Sequence, residues 1–384
     1  MIYLDYSATT PVSSDVLDTI NRTTKEFIGN ANSINGIGIK SRNLMESATK
    51  QIADLFGVDV KEITYTSSST ESNNFALIGY ALENFKKGKH IIVSKLEHPS
   101  IYAICDYLTT LGFEISYVKN DEDGLIDFDD LKKLIRKDTI LVSICAVNSE
   151  LGIRQPLKMI RQIIKKENEN IAFHSDMTQA IGKTSISIKD VDMASISSHK
   201  IYGPKGIALF YKNSSFKVKP LLYGSGKSNE LKLGTPALPL IVGFSKALRI
   251  STEQLEKREK YVSLLNKQIC TRLKKYNDVC INTTKYSIPF ILNISVMNIR
   301  PETFIHAMDK YEIYISTNTA CSSGDLSSSV MTVYNDMKRA KHTIRISLSH
   351  LTTSEEINTF LEKFDIVYNE LNSLGEENGK SSNN

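Results

Sequence analysis

The chain has 384 residues, with 47 Lys+Arg against 43 Asp+Glu for a formal charge of +4, and 41% of its residues are hydrophobic. That length calls for more than one lobe, and so small a charge over it gives no electrostatic case for nucleic acid or a membrane surface. The five cysteines, Cys105, Cys145, Cys270, Cys280 and Cys321, form no CxxC pair and are odd in number, which argues against a disulfide framework or zinc module and for a reducing compartment.

The opening residues, MIYLDYSATTPV, lack the basic-then-apolar pattern of a secretory leader. The most apolar stretches are too short to cross a bilayer, so a cytoplasmic location is expected. From Ser14 to about Gly243, short apolar runs at 91–93, 115–118, 140–147, 171–174, 193–196 and 207–211 read as strands, with helical spacing at 72–85 and 157–166. Strands alternating with helices predict an α/β fold with a mostly parallel, doubly wound sheet, whose ligands sit outside the strands' carboxyl ends. Further along, 253–276 is a charged helix with Leu255, Val262, Leu265, Ile269 and Leu273 on one face, the pattern of a surface helix seated on a core. Strands follow at 290–296, 313–316 and 343–348, with helices from Pro301 and over 355–371. The expected division is a large α/β domain over 14–250, a smaller α+β domain from 1–13 plus 251–374, and a polar, disordered tail over 375–384.

Several loops carry residues suited to chemistry. In YTSSSTESNN, a β-like run ends in Ser67, Ser68, Ser69 and Thr70 before a helix pattern. Such a start offers N–H groups and hydroxyls to an anion, although a serine-rich helix cap is the commoner case. His98, after the strand at 91–93, could stack on a ring or shuttle protons, or simply cap a helix. Asp176, after the strand at 171–174, could bond a protonated ring nitrogen or serve as a cap. Lys200, in SSHKIYGPKG after a buried strand, is a Schiff-base candidate, whereas Lys205 fits a solvated loop lysine. Cys321 lies among small polar residues in ISTNTACSSGD, unlike the other four cysteines, and is free to attack if a neighbour supports its thiolate. Arg345 sits inside an apolar β pattern, where it needs an anionic partner, either a protein carboxylate or a substrate's.

The order of these stretches, TESNN, EH, NSELG, Asp-x-x-Gln, SHK, Gly-Thr and ACSSG, resembles that of the cysteine desulfurases, class V aminotransferase-fold enzymes that use pyridoxal 5′-phosphate. The resemblance runs from YLDYSATTPV to TIRISLS. It implies that Lys200 holds the cofactor, that Ser69, Thr70, Ser197 and His199 cradle its phosphate, that Ser198 also binds the cofactor, and that Asp176 partners the pyridine nitrogen. It further implies Gln179 on the ring hydroxyl, His98 on the ring face, Asn148 beside ring and substrate, and Arg345 on the carboxylate of L-cysteine. Cys321 would be the nucleophile that carries the persulfide, in the subfamily with a longer mobile loop. Thr235 would contact the phosphate of a neighbouring protomer, making a homodimer. Acceptors would be proteins such as an iron–sulfur scaffold or a tRNA-thiolation enzyme. A selenocysteine lyase, a class V aminotransferase on another amino acid and a non-catalytic sulfur-transfer scaffold are the alternatives. Departures from the family pattern are Ser68 in place of a glycine, expected to tighten the phosphate turn, and Lys232 and Leu233 in place of arginine and serine.

Overall fold

The structure, a computed structural model, describes residues 1–224, 231, 233–317 and 326–381, with side chains to residue 373. Its strands are β1 (Ile2–Tyr3), β2 (Ile63–Thr66), β3 (His90–Ser94), β4 (Glu114–Val118), β5 (Thr139–Ser143), β6 (Ala172–Asp176), β7 (Met193–Ser197), β8 (Ala208–Lys212), β9 (Val279–Ile281), β10 (Ile291–Val296), β11 (Ile313–Tyr314) and β12 (Thr343–Ser347). Seven of them form one sheet in the order β2-β8-β7-β6-β5-β3-β4. Only β8 runs antiparallel to its neighbours. Because β8 reverses direction between β7 and β2, the other six strands all point their carboxyl ends at one edge. Every residue of β3, β5, β6 and β7 is buried, as expected of parallel strands covered by helices on both faces.

The strand expected over 140–147 leaves the ladder after Ser143, and Val147 bridges Arg154 instead. The helix expected over 72–85 begins earlier, at Ser69. It runs through one π-helical turn, Phe75–Gly79, to Asn84. Gly79 allows a close approach there, since a Cβ would lie 2.7 Å from Val218 Cγ1 and 2.8 Å from the Lys219 carbonyl. The charged helix forms over Leu255–Leu273 and buries Val262, Leu265, Ile269 and Leu273 of the predicted stripe, while Leu255, its first residue, is only half-buried.

The three-stranded antiparallel sheet β12-β10-β9 builds the smaller lobe. The amino terminus joins that lobe: β1 pairs with β11 and Asp5 bridges Ser347. Between the lobes the apolar core is continuous, one cluster holding Val142, Phe244, Leu265, Ile294 and Phe364. Helix Leu238–Glu253 crosses the expected boundary at 250 and packs on helix Ser14–Glu26, where a Cβ on Gly243 would lie 2.6 Å from Ile20. The last helix runs to Ser381, into the stretch expected to be a disordered tail. No helix among the described residues is long and apolar enough to cross a membrane.

Candidate functional site

The loops after β2, β3, β5, β6 and β7, the segment after β1 and the middle of β12 enclose a cavity of about 270 Å³. Its wall includes Ser69, Thr70, His98, Asp176, Gln179, Ser197, His199, Lys200 and Arg345, which the sequence places as much as 276 positions apart (345 − 69). The shared edge of carboxyl ends brings them together: Asp176 ends β6, Ser197 ends β7 and Lys200 follows three residues on.

Hydrogen bonds from the surrounding chain hold several of these side chains. Asp176 accepts from Asn73 Nδ2 at 3.0 Å through one carboxylate oxygen and from the Thr178 N–H at 2.9 Å through the other. Lys200 Nζ donates to the carbonyls of Ser7 and Ala8, the latter at 2.6 Å. Gln179 donates to that same Ser7 carbonyl at 2.9 Å and accepts from Lys183. Burial, reinforced by the charge of Lys200, holds the Lys183 amine well below its ordinary value. His98 both caps helix Pro99–Thr110 and lines the cavity. Its Nδ1 accepts from the Ser100 N–H at 3.1 Å, which assigns the ring proton of the neutral form to Nε2. Burial lowers its pKa, with Asp176 opposing and Lys200 reinforcing the shift.

Arg345 is 2% exposed and pairs with Asp5 Oδ1 at 2.9 Å, while Nη1 donates to the Ser149 carbonyl at 3.1 Å. The protein carboxylate it needs is therefore Asp5. Its Nε has no partner among the described residues, although the side chain lines the cavity. Beneath His98, Glu97 is 5% exposed and accepts from Ser94 Oγ and the Cys145 N–H. Desolvation pushes its carboxyl up to about 8.

These buried groups set a stability profile. Burial lowers His174, His199 and His350 to about 4 from 6.5. Between those values only the unfolded chain takes their protons, so stability falls as pH drops below 6.5. Glu97 works in the opposite sense. Between 4.5 and 8 only the folded chain holds its proton, so stability also falls as pH rises through that window. Glu97→Gln should therefore make stability rise more steeply, or fall less, between pH 6.5 and 8 than it does in the wild type, read as the urea midpoint across a pH series. An unchanged slope in that variant would contradict the assignment.

Other expected site residues stand apart from the cavity. Asn148 is 2% exposed, with its amide donating to the Leu96 carbonyl and Ser329 Oγ and accepting from the Glu150 and Leu151 N–H groups. It shapes the loop after β5, whose Val147 and Ser149 on either side of it are on the cavity wall. Ser198 is fully buried behind the wall, its Oγ only 2.1 Å from where a Cβ on Gly203 would stand. Thr235 is exposed and lines a separate groove with Ser67 and Gly206. Cys321 and Lys232 lie outside the described residues. Ser68 does not tighten the turn as expected. Its φ of −161° is extended backbone open to any residue, and its Oγ accepts from the Glu71 N–H as a helix cap. Asn73, Ser7 and Lys183 were not singled out from the sequence. Asn73 follows Ser69 by four residues, so helical spacing puts the two on one face.

The donor set fits pyridoxal 5′-phosphate. A hydroxyl-rich helix start suits a phosphate, a buried carboxylate suits a protonated ring nitrogen, and a lysine amine suits an aldehyde carbon. Thr178 Oγ1, 8% exposed and on the cavity wall, has no hydrogen-bond partner among the described residues, leaving a polar atom for a ligand to meet.

Comparison with known proteins agrees with this geometry. The family model "Aminotransferase class-V" matches residues 2–360. "Cysteine desulfurase IscS" of Dictyoglomus turgidum is 36% identical over 379 residues, covering 97% of this chain and 96% of its own. A solved "NIFS-LIKE PROTEIN" superposes with a TM-score of 0.91 at 35% identity, covering 96% of this chain and 100% of its own. A structure titled "SspA in complex with cysteine" gives 0.79 at 28% identity over 92% of this chain and 100% of its own. The chain belongs to the class V aminotransferase family, and its cofactor is pyridoxal 5′-phosphate.

Proposed function

We propose that the protein is a cysteine desulfurase, taking sulfur from L-cysteine, releasing L-alanine and holding the sulfur as a persulfide on Cys321. The observation that carries this reading is the meeting of Lys200, Asp176, His98 and the buried guanidinium of Arg345 on one cavity. A solved relative whose title names cysteine as its partner supports the substrate class.

In this reading Ser69, Thr70, Ser197 and His199 hold the cofactor's phosphate, Asp176 its ring nitrogen, Gln179 its ring hydroxyl and His98 its ring face. Bound cofactor supplies an electron sink for charge developing at the substrate's Cα. Arg345 orients the substrate carboxylate through its Nε edge, which has no partner among the described residues. Lys200 Nζ, within reach of the Ser7 and Ala8 carbonyls, moves the Cα proton. The Cys321 thiolate takes the substrate sulfur. The S–Cβ bond of cysteine breaks, an S–S bond forms, and hydrogen replaces sulfur to give alanine.

Thr235, exposed on its own face of the chain, suits contact with a second copy, and the working unit is a cytoplasmic homodimer. The persulfide passes to an acceptor protein, such as an iron–sulfur scaffold or a tRNA-thiolation enzyme. Cys321→Ala tests the reading. It is expected to keep the cofactor's yellow band and lose sulfide and alanine release from L-cysteine by roughly a hundredfold or more, as when a nucleophile is removed. Full alanine release in that variant would point to lyase chemistry that does not use Cys321, and release of a 2-oxo acid in place of alanine would point to transamination.

A further inference from the structure

A second cavity, about 300 Å³, lies behind the cofactor site and matches it in size. Its wall joins three parts of the chain: Ser13 from the amino-terminal segment, Tyr202 from the loop beyond Lys200, and Arg258 and His350 from the smaller lobe. Three polar atoms here are buried without a hydrogen-bond partner among the described residues: Ser13 Oγ, Arg258 Nε and His350 Nδ1.

Arg258 is 6% exposed, yet no carboxylate lies within ion-pair distance of it among the described residues. Its contacts are a long bond from Nη1 to Ser251 Oγ at 3.3 Å and the face of Tyr202, whose ring centre is 5.3 Å away. His350 stands edge-on to that same ring, 4.6 Å between centres. A buried guanidinium without an anion is costly, and an aromatic face offsets only part of that cost. Arg345, the other strongly buried guanidinium described, has its carboxylate in Asp5.

We propose that this cavity is a binding site for a small oxyanion, of the phosphate or sulfate type. The guanidinium would take two oxygens through Nε and Nη, while Ser13 Oγ and a ring N–H of His350 would donate to the rest. The site has a direct connection to the cofactor site. Ser251 Oγ, which receives the Arg258 bond, itself donates to the carbonyl of Ile201, the residue after Lys200. Tyr202, held at a φ of +66°, bonds Ser349 Oγ in the smaller lobe and receives the Ser13 N–H on its carbonyl. An anion seated on Arg258 therefore braces Lys200's loop against both the amino terminus and the smaller lobe.

The test uses the full chain saturated with pyridoxal phosphate, so that the phosphate cradle beside Lys200 is filled. Inorganic phosphate or sulfate should raise the thermal midpoint saturably, while sodium chloride at equal ionic strength should not. Arg258→Met should abolish that rise while folding at least as stably in chloride, because it removes an uncompensated buried charge. Ser13→Ala, a milder change, should weaken phosphate binding by about tenfold in calorimetric titration, the loss expected for one hydrogen bond to a charged group. A phosphate response that survives Arg258→Met belongs to another site and overturns the proposal. So does a wild-type protein that responds to phosphate and chloride alike.

Discussion

Lys200→Ala is expected to cut L-cysteine turnover at least about a thousandfold, the combined loss of a covalent anchor and a proton carrier. The same variant should bind added pyridoxal phosphate without developing the yellow band of the wild type. The chain offers two lysines near the site, and geometry separates them. Lys200 lines the cavity, whereas Lys183 is 6% exposed behind it and donates to Gln179. Lys183→Met is therefore expected to keep the absorption band that Lys200→Ala loses. Folding should change little, because Lys200 is half-buried and the Ser7 carbonyl it meets also receives Gln179. Steady-state kinetics and absorption spectra of both variants decide the matter. Turnover within tenfold of wild type in Lys200→Ala would remove Lys200 from the chemistry.

Much of this site is legible in the sequence because it lies at strand ends. An apolar run that stops at a polar residue marks where the sheet edge will be, and Asp176, Ser197 and Lys200 each follow such a stop. What holds those residues was not legible. Asp176 is oriented by Asn73, 103 positions earlier, and no local pattern announces a bond between a helix amide and a strand-end carboxylate. The role of the amino-terminal segment was equally hidden. Ser7 and Ala8 supply carbonyl oxygens to Lys200, and backbone acceptors leave no trace in side-chain identity. Arg345 shows the intermediate case. Its position in an apolar strand implied an anion, and the two candidate partners differ only in whether the chain returns a carboxylate to that point, which Asp5 does across 340 positions. Ser68 shows the opposite failure: a missing glycine signals strain only where φ is positive, and here the backbone is extended.

The largest effect on stability is expected at a residue remote from the chemistry. Asp192 is 1% exposed and precedes β7. One of its oxygens meets Arg161 Nη1 at 2.6 Å, and the other meets Lys165 Nζ at 2.6 Å and the Phe173 N–H at 2.9 Å. Its own N–H donates to the Phe173 carbonyl at 2.8 Å, so one carboxylate ties helix Leu157–Glu167 to the amino ends of β6 and β7. Asp192→Ala strands the Phe173 N–H in the core and leaves Lys165, whose amine burial already lowers, without its counter-ion. Arg161, about a third exposed, can turn to water. The summed cost should be about 3–5 kcal/mol, typical of breaking one side of a buried pair. Asp192→Asn can still accept from the Phe173 N–H and should cost less. Because the pair is buried, the deficit should persist at high salt, unlike that of the exposed Arg22–Glu26 pair. The amino ends of the strands face away from the cavity, so kcat/KM of either variant, measured well below its melting point, should match wild type. A urea midpoint for Asp192→Ala within about 1 kcal/mol of wild type would mean that the carboxylate contributes no more than a surface pair does.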